Sequence, residues 1–458
     1  MPTYRVQNPV TNDVIETFDS ATDAEVQTVL DKATDAFEEW GTRPIEERAE
    51  IVSRVASLFD ERKDELANIA SEEMGKPKAE LIEEAEFSSA IIKYYADHGK
   101  DFAEGQQIPT EDDGKAYIRR LPIGPLLGIM PWNFPYYQIA RFVGPNLMLG
   151  NTIILKDAEI CPRSALAVQK IMDDAGIPEG VYNNIFATHD QVADIIADPR
   201  VQGVSLTGSE RAGSIVGAQA GKHIKKSVLE LGGSDPYVLL DSADVKASAK
   251  LAWETRMYNT GQACNSNKRM IVMDDIYDEF VDELVRLAGE MTPGTPEDSS
   301  EKTYCPLSSR EAAENLHSQL QDAVSEGANL RIGGELSDKG AYLSPAVITD
   351  IPRGSKSAYV EFFGPVATVY RVTSDEEALE VANDTQFGLG GTVFSQDEDR
   401  AAAIAQRLKV GMANVNTPAG EGAELPFGGV KRSGYGRELG PLGMDEFVNK
   451  QLYFVANS

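Results

Sequence analysis

The chain is poor in the residues that build disulfide frameworks and metal centres. It has 3 cysteines, 4 histidines and 3 tryptophans in 458 residues. Cys161, Cys264 and Cys305 cannot form a disulfide framework, and their spacing matches no zinc pattern. His98, His189, His223 and His317 are scattered and suggest no metal site. No stretch approaches the ~18 apolar residues of a membrane-spanning helix, and the opening Met1-Pro-Thr-Tyr-Arg-Val lacks the apolar core of a signal peptide. These absences lead us to expect a soluble, cytoplasmic protein with no membrane partner. Also missing is a Gly-x-Gly-x-x-Gly turn after a strand with an acid further on, so a dinucleotide site would have to be built another way.

Basic residues are scarce too. There are 43 Lys and Arg against 73 Asp and Glu, a formal net charge of −30 and a pI near 4.5. With no basic stripe to neutralise phosphates, nucleic acid is excluded as a partner. The acids are dispersed through helical segments such as Asp60-Glu-Arg-Lys-Asp-Glu65 rather than gathered in a tail. That dispersion suggests a halophilic-type surface, kept hydrated by acids whose mutual repulsion salt screens. The remaining composition, 42% apolar and 25% charged, is that of an ordinary globular protein. At this length the chain should exceed one core, and two or three domains are expected.

Tyr4 to Phe18 alternates around Asn8-Pro9 and Asn12-Asp13, as a short hairpin would. From Asp23 to about Tyr95 the apolar spacing is helical, broken into two helices at Gly75-Lys-Pro77. Short buried-strand patterns then alternate with helical ones. The strands are Thr152–Lys156, Tyr182–Phe186, Gly203–Leu206, Val228–Leu231 and Tyr237–Leu240; the helices are Ala165–Asp174, Gln191–Ile196 and Arg211–Gly221. That order predicts a doubly wound parallel sheet. A second α/β series runs from Arg269–Met273 to Gly391–Phe394.

Cys264 stands in a polar, Gly-containing stretch, Asn259-Thr-Gly-Gln-Ala-Cys264-Asn. A lone cysteine is ordinarily a small core residue, but Gly261, Gln262 and Asn265 argue against a plain core position. Upstream, Glu230 is a single acid among Leu229 and Leu231, and Asn133 sits in the tight apolar turn Pro131-Trp-Asn-Phe-Pro135. A thiol, a desolvated carboxylate and an amide donor are the parts for covalent chemistry on a carbonyl. Seven segments in order resemble the NAD(P)-dependent aldehyde dehydrogenases. They are Pro131-Trp-Asn-Phe-Pro135, Leu155-Lys156, Leu206-Thr-Gly-Ser209, Leu229-Glu-Leu-Gly-Gly233, Gly261-Gln-Ala-Cys264, Glu361-Phe-Phe-Gly-Pro365 and Pro426-Phe-Gly-Gly-Val-Lys431. The resemblance implies Cys264 as nucleophile, Asn133 as oxyanion donor and Glu230 as the base that activates water.

It further implies that Thr207, Gly208 and Ser209 cradle a pyrophosphate, that Lys156 and Glu159 contact the adenosine ribose, that Glu361 binds the nicotinamide ribose, and that Phe363 and Trp132 border the nicotinamide ring. An acid at Glu159 would accept from ribose hydroxyls and repel a 2′-phosphate, so NAD is expected over NADP. On the helical segment after Pro135, Tyr137 and Arg141 share a face. The semialdehyde members of the family carry arginine at the position of Arg141, where it pairs with the distal carboxylate of succinate semialdehyde; otherwise Arg141 simply pairs with one of the chain's own acids. A second arginine of some succinic enzymes is replaced here by Tyr258, with Arg256 two residues away.

The expected architecture is α/β and aldehyde-dehydrogenase-like. It comprises a Rossmann-like cofactor domain (residues 1–103 and 122–231), an α/β catalytic domain (232–436) and a small β extension (104–121 and 437–458). The apolar final segment Glu446–Val455 would be an exposed edge in a monomer, so a homodimer or homotetramer is expected. The alternatives are oxidation of another aliphatic or aromatic aldehyde and, from a different class, a non-catalytic dinucleotide-binding protein.

Overall fold

A computed structural model describes residues 4–457, apart from residues 299 and 301. Its centre is a six-stranded sheet in the order Gly434–Tyr435, Lys226–Glu230, Gly203–Thr207, Pro125–Ile129, Thr152–Lys156, Tyr182–Asn184. All pairings are parallel except that of Gly434–Tyr435. The strands read as continuous apolar runs because both faces are covered. Leu127, Ile154 and Val204 face helices Asp23–Trp40 and His189–Ala197. Their neighbours Leu126 and Ile153 point the other way, onto helices Ile45–Glu61, Lys78–Ala103 and Tyr137–Leu149.

A seven-stranded sheet follows, ordered Asn329–Ile332, Ala346–Thr349, Val366–Val372, Arg269–Met273, Pro236–Leu239, Gly390–Phe394, Met412–Val415, with only the first pair antiparallel. Helices Val245–Met257 and Asp274–Glu290 pack on one face, and Asp375–Asn383 and Glu398–Ala405 on the other. A third, antiparallel sheet pairs Gln106–Ile108 with Gly114–Pro122, and that strand with Val448–Ala456. Among the described residues no helix is long and apolar enough to cross a membrane, and no cluster of three His, Cys, Asp or Glu could hold a metal.

The hairpin Tyr4–Phe18 forms as expected. The helical stretch after it is four helices rather than two. Gly75, with φ 78°, ends one at the expected break, but further interruptions fall at Gly41–Pro44 and at Arg62. Arg62 breaks the helix inside a charged, continuously periodic segment with no Gly or Pro to mark it. Tyr237–Leu240 matches a strand but joins the second sheet, between Arg269–Met273 and Gly390–Phe394. Gly434–Tyr435, expected within the catalytic unit, crosses back to the edge of the first sheet and pairs with Glu230 and Leu229.

The net charge of −30 sits on a chain whose surface ion pairs are mostly solvent-exposed and so each worth little. Self-repulsion should therefore dominate the response to salt. The melting temperature is expected to rise from dilute buffer to molar KCl; a melting temperature independent of salt contradicts the salt-adapted surface.

Candidate functional site

Four of the singled-out segments emerge at the carboxyl edge of the first sheet, where ligands of open parallel sheets bind. Lys156, Thr207 and Glu230 end strands Thr152–Lys156, Gly203–Thr207 and Lys226–Glu230, and Asn133 lies just beyond Pro125–Ile129. The second sheet meets them with its opposite edge: Cys264 and Lys268 precede Arg269–Met273, and Glu361 precedes Val366–Val372. The two edges meet where Asn133 donates to the Gln262 carbonyl and the Gly233 N–H donates to Glu361, and Cys264 lines a chamber of ≈ 210 Å³.

The loop bearing Cys264 is held main chain first. Asn259, Thr260 and Gly261 have φ of 50°, 51° and 75°, and left-handed backbone in two non-glycine residues, one β-branched, is costly. The Glu80 carboxylate accepts the Asn259 N–H at 2.8 Å. Arg256, wholly buried, donates to the carbonyls of Gly261 (3.0 Å), Phe362 (2.7 Å), Gly364 (2.5 Å) and Val366 (2.8 Å). Arg256 is thus a strut of the loop and does not face the chamber. Gly261 is required here: its φ is positive, and a Cβ would run into the Gly364 carbonyl.

Asn133 is buried, and its amide nitrogen donates to the Gln262 carbonyl at 3.0 Å, leaving its second proton uncommitted to that bond. Burial pushes the Cys264 thiol up to about 11; Arg141 and Lys268 pull it down, while Glu230 and Glu361 raise it further. Glu230 is more strongly perturbed. Both its oxygens are buried without a hydrogen bond of normal geometry. Its pKa rises well above 4.5, first through desolvation and then through Glu438, against opposing pulls from Arg141, Arg437 and the Gly429 amide.

The residues expected to hold a dinucleotide form a second group. Ser209 caps helix Glu210–Lys222, accepting the Ala212 N–H at 3.3 Å. The space above Gly208 is open, with only a Leu206 methyl within 4.0 Å of a Cβ placed there. The buried Thr207 hydroxyl has no partner. An open glycine turn, an orphan hydroxyl and a helix N-terminus fit a pyrophosphate. Lys156 pairs with Glu159 at 2.5 Å, and His189 lies 3.5 Å from the same oxygen. Trp132 and Phe363 meet edge to face at 5.8 Å. Glu361 accepts the Gly233 N–H at 3.2 Å and pairs with Lys268 at 3.0 Å.

Arg141 departs from its expected place. Tyr137 and Gln138 line the chamber, whereas the guanidinium sits behind them with a side-chain exposure of 0%, paired to Glu438 at 2.9 Å. It also donates to the Gln138 side-chain amide oxygen and to the Tyr137 hydroxyl at 3.3 Å, and lies over the Phe427 ring. A substrate carboxylate would have to compete with Glu438 for it. The chamber wall is aromatic, with Phe134 stacked on Tyr258 and Phe87 on Tyr137. Glu438, Lys268 and Phe87 escaped the sequence reading, because only the fold brings them to Arg141, Glu361 and Tyr137.

The aldehyde dehydrogenase family profile matches residues 2–452. The chain is 48% identical over 450 residues to a succinate-semialdehyde dehydrogenase [NADP(+)] of Deinococcus radiodurans, covering 98% of this chain and 94% of that one. A crystal structure of succinic semialdehyde dehydrogenase from Streptococcus pyogenes, in complex with NADP+ as the cofactor, superposes with a TM-score of 0.96 at 41% identity, covering 99% of this chain and 100% of that one. A betaine aldehyde dehydrogenase of Staphylococcus aureus in complex with NAD+ superposes with a TM-score of 0.95 at 29% identity, covering 99% and 91%.

The raised pKa of Glu230 makes a stability prediction. A carboxyl whose folded pKa exceeds its unfolded value favours the folded state below the unfolded pKa, and that advantage is lost as pH rises toward the folded pKa. Glu230→Gln copies the protonated form. Its stability should match the wild type near pH 4.5 and exceed it increasingly toward alkaline pH, read by urea denaturation across pH. A constant gap contradicts the buried, uncompensated carboxylate.

Proposed function

Because the chain belongs to the aldehyde dehydrogenase family, we propose that it oxidises succinate semialdehyde, or a close dicarboxylate semialdehyde, to the acid with NADP+ as oxidant. The observation that carries this reading is the approach of Asn133 and Glu230 to the Cys264 loop: Asn133 donates to the Gln262 carbonyl, and Glu230 is close enough to raise the pKa of the Cys264 thiol. The Cys264 sulfur adds to the aldehyde carbon. The resulting oxyanion is met by the Asn133 amide and the Cys264 backbone N–H. Glu361 would hold the nicotinamide ribose and Phe363 and Trp132 would border its ring, and the cofactor would supply the hydride acceptor there. Cys264 is left as a thioester, and Glu230 takes a proton from the water that releases the acid. The raised affinity of Glu230 for protons suits that task.

The two semialdehyde relatives described above are named for or bound to NADP, and NAD+ is bound only in the less similar betaine aldehyde dehydrogenase among those three, so the preference for NAD drawn from Glu159 is not supported. The charge of Glu159 is shared with Lys156 and His189, which weakens the repulsion expected of a free acid. NADP is therefore our reading. Toward the substrate, Tyr137 lines the chamber and Arg141 holds its hydroxyl; we assign Tyr137 the direct contact and Arg141 the support. Neutralisation of Arg141 by Glu438 is the one observation favouring the second reading, a neutral aldehyde. We further propose a homo-oligomer that covers Leu452 and Phe454, which are 65% and 42% exposed on an edge strand.

Cofactor reduction followed with an aldehyde panel and both cofactors tests the whole reading. Succinate semialdehyde with NADP+ should be the best pair, and preference for short neutral aldehydes contradicts the substrate. Cys264→Ala should abolish activity, and Asn133→Ala should lower kcat by about 10²–10³-fold. Activity should climb with pH through the neutral range, since the thiol near 11 must lose its proton to react; a flat profile contradicts this. Phe454→Asp should shift the size-exclusion peak toward the monomer, and an unchanged peak contradicts the proposed interface.

A further inference from the structure

Beneath the cysteine loop lies a buried cation that the reaction as described leaves unused. Lys268 is 1% exposed. Its ammonium donates to the carbonyls of Ala263 at 2.7 Å and Cys264 at 2.8 Å, and pairs with Glu361 at 3.0 Å. An ammonium has three protons, so its whole capacity goes to the nucleophile's own main chain and to the acid assigned to the nicotinamide ribose. Asp235 is a second carboxylate close enough for Lys268 to lower its pKa. Burying a charge is expensive, and two loop carbonyls alone could be satisfied by a neutral donor. Arg256 already ties the same loop, through the Gly261 carbonyl and the Ser266 hydroxyl, to the carbonyls of Phe362, Gly364 and Val366. What distinguishes Lys268 is that one end of its network is the cysteine and the other is Glu361.

We propose that Lys268 is a positioning residue that couples the cofactor seat to the nucleophile: its ammonium ties the Cys264 carbonyl to the Glu361 carboxylate, and sharing that carboxylate with ribose hydroxyls turns more of the Lys268 charge toward Cys264. The inference rests on the reading of Cys264 and Glu361 given above. The charged groups acting on the thiol are Arg141 and Lys268, which favour the thiolate, and Glu230 and Glu361, which oppose it. Weakening the hold of Glu361 on Lys268 therefore shifts the balance toward the thiolate, and cofactor binding prepares the nucleophile before the aldehyde arrives.

Alkylation of Cys264 by iodoacetamide, with and without NADP+ and with no aldehyde present, reads this without turnover. In the wild type NADP+ should accelerate alkylation at mildly alkaline pH. In Lys268→Gln and Lys268→Met, alkylation of the free enzyme should slow by about tenfold, one pKa unit, and the acceleration by NADP+ should vanish; NADP+ affinity by fluorescence titration should fall as well. Lys268→Arg should restore part of each. Glu361→Gln, with Lys268 intact, covers the case in which the neutral Lys268 variants do not fold: its free enzyme should alkylate faster than the wild type and gain nothing more from NADP+. Folded Lys268 variants that alkylate and respond like the wild type overturn the inference, as does a Glu361→Gln enzyme with wild-type behaviour. If Cys264→Ala is inactive while the Lys268 variants behave as wild type, only the coupling fails. If Cys264→Ala keeps activity, the parent reading fails instead.

Discussion

The site depends on main-chain carbonyls of one loop being gripped from beneath by two buried cations. Residues 259–261 take left-handed backbone angles, at a cost of about 1–3 kcal/mol for each non-glycine member. Such a conformation persists only where the surroundings over-determine it. Arg256 supplies one set of donors from the helix before the loop, Lys268 supplies another from the segment after it, and Glu80 holds the Asn259 amide. The reward is placement: Cys264 reaches the chamber while the Gln262 carbonyl fixes the Asn133 amide beside it. Burial that makes the thiol and Glu230 reluctant to ionise also excludes the water that would weaken the donors aimed at a developing oxyanion.

The two sheets divide the labour. The carboxyl edge of the first presents an open glycine turn, an orphan hydroxyl and Glu230; the facing edge of the second presents the thiol and Glu361. Strand Gly434–Tyr435 ties the end of the second unit back to the strand that bears Glu230. That crossing brings Glu438 to Arg141 and Arg437 to Glu230. The electrostatics of Glu230 are thereby set by residues that lie far from it along the chain.

This explains what could be read in the sequence and what could not. Cys264, Glu230, Asn133 and the Thr207–Ser209 turn were legible because each stands in a short segment whose local composition is unusual for its residue type. The parallel strands were legible because burial on both faces leaves uninterrupted apolar runs, as in Thr152–Lys156. Arg141 stood out through its spacing from Tyr137, but its partner Glu438 did not, since nothing local links them. Nothing local marks Lys268, because its three acceptors gather only in the folded loop. The weight given to Glu159 as a barrier to NADP shows the same limit: an acid's charge was legible, while its pairing with Lys156 and proximity to His189 were not.

The central claim is that Cys264 carries the acyl group and Glu230 releases it. Intact-mass and peptide mass spectrometry of Glu230→Gln, quenched after mixing with NADP+ and succinate semialdehyde, tests it most directly. The account predicts one equivalent of NADPH per active site and a succinyl mass on the peptide containing Cys264. Steady turnover with no acyl mass, or an acyl mass on another residue, would contradict it.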